Sequence, residues 1–506
     1  MRKSATVIGV AALLAGAGWS ALWVTGRGEV EERLSLERER LAARGVEVRH
    51  GTPEIGGFPF AYEVRLPDLV LEQAATGMAI TLPELTATAS LGEMERIRYA
   101  FPERFLVQLP TPPAAEGTEG TGGPALPGTS TVEVEAEGLA VEQVVGEAGM
   151  AETTIAAASL LLVQAGAEQA RNGALEFRGL SAEIALPPRV PGAETALTLT
   201  AEAMDYLATD ETEEGRASRI EGTIEDLGLT ASTDQPDLGA ALAVLAGAPG
   251  GGRLRMTLQM GQTEATASVA GADPARSGSV TASTGVSGGY VTIEGGLIDM
   301  VHSAENNRFV LEPADPTASL KGGVEVGRIE LVYRSPLVPR EEMDELVFRL
   351  ALGPVAPDEA LWQSVDPTGS LERGPGEFVI DLLGSARMRP SEVDGLPEEA
   401  ELGTLTVRHA DIALLGAEAE TRGEVEFLQP GNRPEGRLTL ELTRAMEVLG
   451  DLARAGLIGL EMLQTVTMLA ANYTRPGDDP ETLVVDMEFR GSEVLMNGQP
   501  ILEITR

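Results

Sequence analysis

Apolar and polar side chains alternate along most of this chain, from about residue 46 to residue 504. The clearest case is TVEVEAEG (131–138), in which valine or alanine alternates with glutamate. Because successive side chains of a β-strand point to opposite faces, this period of two predicts half-buried antiparallel strands. A row of glutamates would also suit a metal or carboxylate site, but the alternation explains it without either.

The composition is compatible with a large β-rich body. A chain of 506 residues exceeds one compact core, so we expect two to four domains or one elongated one. Hydrophobic residues make up 43% and charged residues 23%, which supports a substantial core. The aromatic content is only 4%, so that core must be aliphatic. We predict a mainly β fold: one or more large curved antiparallel sheets with a few helices, preceded by an N-terminal transmembrane helix.

Several classes of function are excluded or disfavoured by composition. The chain has no cysteine, which excludes disulfides, thiolate metal sites and cysteine nucleophiles. Its net charge of −40 argues against a nucleic-acid partner, since phosphate binding requires clustered cations. The only lysines are Lys3 and Lys321. We expect no catalytic residue, metal or cofactor, and the ligand-binding residues stay undefined.

The N-terminus contains an uncharged stretch at residues 4–26, between Lys3 and Arg27. As a helix it would reach about 34 Å, enough to cross a bilayer core of about 30 Å. Residues 1–27 are therefore interpreted as an uncleaved signal anchor that contacts the membrane through residues 4–26. The alternative is a cleaved signal peptide with its small-residue cleavage site at 15–17, which would leave a soluble periplasmic body.

The orientation of this anchor rests on conflicting features. Basic residues flank the stretch on both sides and are more numerous after it, so the positive-inside rule argues against export of the body. The short basic head, the absence of cysteine and the β-rich body favour export. We predict a single-pass protein of the cytoplasmic membrane with its body on the periplasmic side.

The remaining chain divides by composition and periodicity. Residues 28–45 predict an amphipathic stalk helix that ends at Gly45. The pattern at 236–249 predicts a second helix. The other predicted regions are a first β part at 46–110, a disordered Pro/Gly-rich loop at 111–130, a central β-rich region at 131–334, and a C-terminal β-rich region at 335–506 with helices near 444–473.

Two local patterns have specific structural predictions. The 444–473 segment predicts two short helices broken around Gly456 and, because it is apolar on more than one side, burial on several sides. In Gly57-Phe58-Pro59-Phe60, glycine and proline predict a turn whose phenylalanines anchor the first strand on the core.

Apparent catalytic or binding motifs have structural explanations. The serine of GVSGG (285–289) has nucleophile-elbow spacing, but a strand pattern follows, so a glycine-rich hairpin is predicted. The three histidines, at positions 50, 302 and 409, lie far apart without zinc-motif spacing. Asp366-Pro367 predicts a turn with Trp362 as a packing anchor; a ligand site there is the alternative.

Four segments resemble the bacterial domain-of-unknown-function 2125 family, and the resemblance extends over most of the chain. It rests on their order and spacing. They are GVEVRHGTPEIGGFPFAYEVRL (45–66), LWQSVDPTGSLERGPGEFVIDLLG (361–384), GEVEFLQPGNRPEGRLTLELTRAMEVLGDLARAGLI (423–458) and MEFRGSEVLMNGQPI (487–501). The resemblance implies a membrane-anchored envelope protein and brings no established activity and no catalytic residues.

Three functions stay open at this point. The first is an envelope protein whose sheet forms an apolar groove for a lipid-like ligand. The second is a non-catalytic scaffold or assembly factor that binds other envelope proteins through sheet edges or the 28–45 helix. The third is a hydrolase with dispersed acidic residues, and we favour a non-enzyme over it. A groove requires an uncovered apolar sheet face, whereas a sandwich would bury that face against a second sheet.

Overall fold

A computed structural model describes much of the chain between residues 28 and 503. The described ranges are interrupted at 29–31, 33, 37, 40, 44, 59, 74–76, 91, 111–128, 147–150, 166–171, 187–193, 212–216, 235–251, 272–276, 316–317, 319, 340, 390–398 and 429–432. The chain divides into two compact units, Met1–Glu211 and Thr212–Arg506. The mainly β antiparallel prediction is confirmed for the described residues.

Unit 1 contains eleven described strands. They are β1 (Val46–Arg49), β2 (Glu54–Gly56), β3 (Ala61–Gln73), β4 (Met78–Ser90), β5 (Glu93–Ala100), β6 (Arg104–Pro110), β7 (Thr129–Glu137), β8 (Ala140–Val145), β9 (Ala151–Ala165), β10 (Asn172–Leu186) and β11 (Thr195–Glu211).

Antiparallel pairing joins these strands into one sheet. Strands β1 and β2 both pair with β3, which pairs with β4. The two ends of β4 pair with β5 and β6, and these pair with β8 and β7. Strands β7 and β8 then share β9, which is followed by β10 and β11. The sheet is therefore a meander in which two pairs of short strands each take the place of one long strand.

Unit 2 contains sixteen described strands and three helices. The strands are β12 (Ala217–Thr233), β13 (Leu254–Met260), β14 (Thr263–Ala270), β15 (Gly278–Thr284), β16 (Ser287–Glu294), β17 (Leu297–Pro313), β18 (Gly322–Pro336), β19 (Asp344–Pro357), β20 (Gly376–Arg389), β21 (Glu399–Leu414), β22 (Ala417–Leu428), β23 (Arg433–Thr443), β24 (Arg475–Pro476), β25 (Thr482–Arg490), β26 (Glu493–Met496) and β27 (Gln499–Glu503). The helices are α1 (Glu359–Val365), α2 (Ala445–Arg454) and α3 (Leu460–Tyr473).

The sheet of unit 2 is also an antiparallel meander. Strand β12 pairs with β13 and β14, which pair with β16 and β15, and both of these pair with β17. From β17 each strand pairs with the next through β23, and β23 then pairs with β25 across the α2–α3 insertion. Strands β26 and β27 complete the order.

Two-residue turns divide three stretches of strand-like sequence into hairpins. The turns are Gly295-Gly296, Leu415-Gly416 and Asn497-Gly498, and both residues of each have positive φ. This conformation matches the right-handed twist of the paired strands, and glycine and asparagine adopt it at little cost. The strands therefore reverse at residue pairs that adopt positive φ.

The N-terminal predictions are tested only in part. The described residues between 28 and 43 are helical, and Gly45, at φ +78, donates its N–H to the Ala42 carbonyl at 3.0 Å, which confirms the predicted helix end. The anchor at 1–27 and the helix at 236–249 lie outside the described residues. Among the described helices, none has the length and apolar composition needed to span a bilayer. Of the predicted loop at 111–130, residues 129 and 130 belong to β7, and the rest lies outside the described ranges.

The helices of 444–473 form as predicted but lie at the surface. Gly456, at φ +76, separates α2 from α3. No residue of either helix is buried, and Leu460 is 71% exposed, so the prediction of burial on several sides is wrong. The helices are inserted between β23 and β25, and they contact mainly one another and, through α2, strand β22, so little of the sheet covers them.

The Gly57–Phe60 turn forms, but its aromatic side chains do not anchor the strand. Gly57 has φ +92, and a Cβ there would lie 2.7 Å from the Ala61 carbonyl oxygen, so glycine is required. Phe58 is 51% and Phe60 73% exposed. The prediction that they pack on the core is wrong: both precede β3, which begins at Ala61, and their side chains lie at the surface.

Candidate ligand-binding face

One face of the unit 2 sheet carries an almost wholly apolar row of side chains. Residues that are directly paired in an antiparallel sheet point to the same face, so the register defines this row. Its members are Leu258, Gly289, His302, Leu331, Leu350, Ile380, Ala410, Thr421, Leu440 and Val485. All except Val485 are half-buried rather than buried. A second sheet packed on this row would bury such residues, as in a β-sandwich.

A second row on the same face is richer in large, adaptable side chains. Its members are Met256, Val291, Met300, Tyr333, Phe348, Leu382, Val407, Gly423, Leu438, Met487 and Met496. Only Val407 among them is buried. Methionine is unbranched and polarizable, which suits contact with ligands of variable shape. We call these two rows the apolar face.

The opposite face of the same strands carries charged side chains among apolar ones. Arg334 donates hydrogen bonds to Asp299 at 2.5 Å and to Glu345 at 2.6 Å, across three neighbouring strands. These bonds raise the pKa of the Arg334 guanidinium, first through Asp299. The sheet therefore has one face suited to water and one that water solvates poorly.

Unit 1 has the same division between its faces. An apolar row runs through Val48, Leu71, Ile80, Val107 and Val132, all half-exposed. In β7 the valines and the glutamates point to opposite faces, as the alternation predicts. Val134 is only 3% exposed, so the apolar side of this strand is better shielded than the corresponding side of unit 2.

An ionic and hydrogen-bonded cluster holds α2 at one end of the unit 2 sheet. Arg444 donates to Glu447 and Glu372, at 3.0 Å each, and to the Gly416 carbonyl at 3.1 Å. Both carboxylates raise the pKa of Arg444, Glu447 first. Nearby in the chain, Leu414 is 47% exposed just before the turn that Arg444 contacts. Exposed apolar side chains thus occur in β21, just before this turn, and in α3.

The turn at Asp366 has a structural role. Asp366 is fully buried and accepts hydrogen bonds from the Leu371 N–H at 2.8 Å and the Thr368 hydroxyl at 2.9 Å. The Leu371 bond is the main reason that the pKa of Asp366 is lowered. Trp362 is half-buried with the Arg373 guanidinium 5.5 Å from its ring centre. Both carboxylate oxygens are engaged within the loop, which is the turn that the sequence predicts.

The other singled-out residues occupy three different settings. Ser287 begins strand β16 and is 5% exposed, so GVSGG leads into a strand and lacks the strand-to-helix turn of a nucleophile elbow. The predicted hairpin at 285–289 is wrong, because β15 and β16 run in the same direction and follow one another along β17, with which both pair. His302 lies within the apolar face, and His50 contacts the Gly51 carbonyl through Nδ1 at 2.7 Å. His409 lies on the charged face beside Asp411. Within unit 2, His302 and His409 therefore lie on opposite faces of the sheet.

The geometry defines a class of protein before any relative is considered: a long-stranded antiparallel β protein whose sheet has one apolar and one charged face. The family described as uncharacterized protein conserved in bacteria (DUF2125) matches residues 23–275, half of the chain, and the chain belongs to that family. Of the four segments that carried the resemblance, 45–66 lies within this match. No curated protein and no solved structure matches the chain.

Proposed function

We propose that this chain is a non-catalytic, membrane-anchored envelope protein that binds the acyl chains of a lipid-like ligand along its apolar face. The observation that carries the proposal is that two largely apolar rows cross the unit 2 sheet with all members except Val407 and Val485 only half-buried. An apolar surface of this extent is unusual in water unless a ligand, partner or membrane contacts it.

The chemistry of the face favours aliphatic ligands. Its members are mostly leucine, methionine, valine and isoleucine, and Arg334 and Arg349 of the same strands lie in the opposite rows. Binding by such a face gives burial of apolar area without directional hydrogen bonds, which suits acyl chains better than sugars or nucleotides. An uncharged anchor at residues 4–26 would keep this face close to a source of lipid.

A pair of matched double variants tests the binding face. Leu350 and Ile380 are directly paired on the apolar face, whereas Val347 and Leu383 are directly paired on the opposite face of the same two strands. All four are half-exposed, so each pair tolerates substitution similarly. Full-length protein is extracted gently from membranes and examined by native mass spectrometry for bound lipid.

The expected result is bound lipid in the unaltered chain and in V347Q/L383Q, with a reduction of at least severalfold in L350Q/I380Q. Circular dichroism must show that both variants keep the β spectrum. Lipid-free unaltered protein, or equal losses in the two double variants, would contradict the proposal. Val134 would be a poor choice for this test because its burial makes a polar replacement destabilising.

A second candidate, a scaffold that binds another envelope protein, is favoured by α3. Residues 462–474 carry no charge, and Leu460, Met462 and Met468 are each more than half exposed. The hydroxyls of Thr465 and Thr467 donate to backbone carbonyls four residues earlier, which leaves fewer free polar groups on this surface. Cross-linking from position 468 to a defined envelope protein would favour the scaffold. Met468→Lys should then keep the lipid content of the unaltered chain.

A further inference from the structure

Three neighbouring strands of unit 2 place carboxylates directly opposite one another on the charged face. Asp411 of β21 pairs with Glu420 of β22, and Glu420 pairs with Glu441 of β23. Like charges at directly opposed positions destabilise a sheet. Among the described residues, the only recorded ion pairs of these three carboxylates are those of Arg422 with Glu420 and of His409 with Asp411. Excess negative charge is therefore concentrated at this point.

A histidine completes the group. His409 precedes Asp411 by two residues and points to the same face, and its Nδ1 lies 3.8 Å from Asp411 Oδ2. One ligand atom from each of His409, Asp411 and Glu420 lies within 4.8 Å of the other two. Two atoms bound to one Zn²⁺ at about 2.0–2.2 Å are at most about 4 Å apart. Small rotations of half-exposed or exposed side chains would bring the three into that range.

An orphaned oxygen is the independent sign of a missing partner. Asp411 Oδ1 is shielded from solvent and has no hydrogen-bond donor, although the Asp411 side chain as a whole is 42% exposed. A buried, unsatisfied carboxylate oxygen is costly, and a cation would satisfy it. Imidazole with two carboxylates is a ligand set that suits Zn²⁺ and similar first-row divalent ions, with positions left for water.

We propose that His409, Asp411 and Glu420 bind a first-row divalent cation on the charged face of unit 2. The site is separate from the apolar face, since paired residues on that face alternate with these along β21 and β22. A bound ion would cross-link β21 and β22 and offset the opposed carboxylates. The proposal does not depend on lipid binding.

Isothermal titration of the full-length protein with Zn²⁺ tests the site, in buffer with millimolar Mg²⁺ to occupy nonspecific surface carboxylates. We expect one Zn²⁺ per chain, with affinity at least tenfold weaker in His409→Ala and in Asp411→Asn. His50→Ala is the matched control and should bind as the unaltered chain does. The absence of cysteine and the presence of only three histidines keep competing sites few.

A second measurement identifies the donor atoms. Cu²⁺ bound in place of Zn²⁺ should show hyperfine coupling to one nitrogen by electron paramagnetic resonance, and Glu420→Gln should weaken its binding. Thermal unfolding confirms that each variant folds. The proposal is overturned by an absence of saturable Zn²⁺ binding, or by an affinity in His409→Ala and Asp411→Asn within threefold of the unaltered chain. Nitrogen coupling that survives His409→Ala would likewise place the metal elsewhere.

Discussion

Arg387 and Glu401 form a two-pronged ion pair across β20 and β21. Arg387 donates from Nε at 3.1 Å and from Nη2 at 2.8 Å to the two carboxylate oxygens, and Arg389 contacts the same carboxylate. Glu401 is 6% exposed although it lies on the charged face. Planar, two-bonded geometry of this kind is among the stronger forms of ion pairing in proteins.

This pair predicts a dependence of stability on pH. Hydrogen bonding by Arg387 is the main reason that the pKa of Glu401 is lowered. A carboxyl group with a lowered folded-state pKa stabilises the protein above its ordinary pKa, and the contribution is lost as pH falls through the folded-state value. Denaturation between pH 7 and pH 3 should therefore show Glu401→Gln less stable at pH 7, by several degrees in Tm, with a smaller loss on acidification.

Glu424→Gln provides the control for this experiment, because Glu424 is exposed on the same sheet. Its free energy of unfolding should differ from that of the unaltered chain by no more than about 0.5 kcal/mol. Parallel pH profiles for Glu401→Gln and the unaltered chain would show that the pair contributes nothing.

In unit 1, we expect the stability of the protein to be most sensitive to substitution at the buried pair Leu69 and Leu82. They are directly paired across β3 and β4 and are 2% and 1% exposed. Leu82→Ala should lower the free energy of unfolding by about 2–5 kcal/mol, since it leaves a cavity. Leu106→Ala, at a position 43% exposed in the same sheet, should cost much less. Urea denaturation measures both, and equal costs would contradict the assignment of the core.

Replacing Gly57 and Gly77 separates two costs: the strain of a positive φ in alanine and the collision of an added Cβ with neighbouring backbone. Both have positive φ, +92 and +72, but only at Gly57 would a Cβ meet backbone atoms within 3 Å. Gly77→Ala should cost about 1–2 kcal/mol from its conformation alone. Gly57→Ala should cost distinctly more, because the Ala61 carbonyl cannot move without disturbing β3. Similar unfolding energies for the two variants would show that the turn adjusts freely.

The predicted topology is tested by a fusion after Arg506. Alkaline phosphatase needs an oxidising compartment to form its disulfides, so an active fusion is expected if the body is periplasmic. A cytoplasmic reporter at the same position should be inactive. Activity of the cytoplasmic reporter alone would refute the orientation, and N-terminal sequencing of the membrane-bound product would distinguish an anchor from a cleaved signal peptide.

Some features could be predicted from local sequence because their causes are local. The valine–glutamate alternation of β7, the helix end at Gly45 and the break at Gly456 each depend on the preferences of a few consecutive residues. The turn at Asp366 likewise needs only its own loop to satisfy its carboxylate. These predictions are confirmed because neighbouring groups along the chain provide the necessary hydrogen bonds and dihedral angles.

The predictions that failed concern whether a side chain is covered by another part of the protein. The apolar composition of α3 and the aromatic character of Phe58 and Phe60 suggested burial, yet these side chains are exposed. Burial depends on whether another layer of the protein reaches the residue, and alternation along one strand contains no information about that layer.

The amino-acid sequence by itself thus determined the β class, the two-faced strands, many of the turns and the family. Only the tertiary structure decided which residues stand side by side. Strand register, which depends on pairing between distant segments, lines up Leu331, Leu350 and Ile380 on one face. On the other face it brings Asp411 opposite Glu420. Both proposed sites are products of that register, because each draws its members from strands whose neighbours are chosen by hydrogen bonding across the sheet.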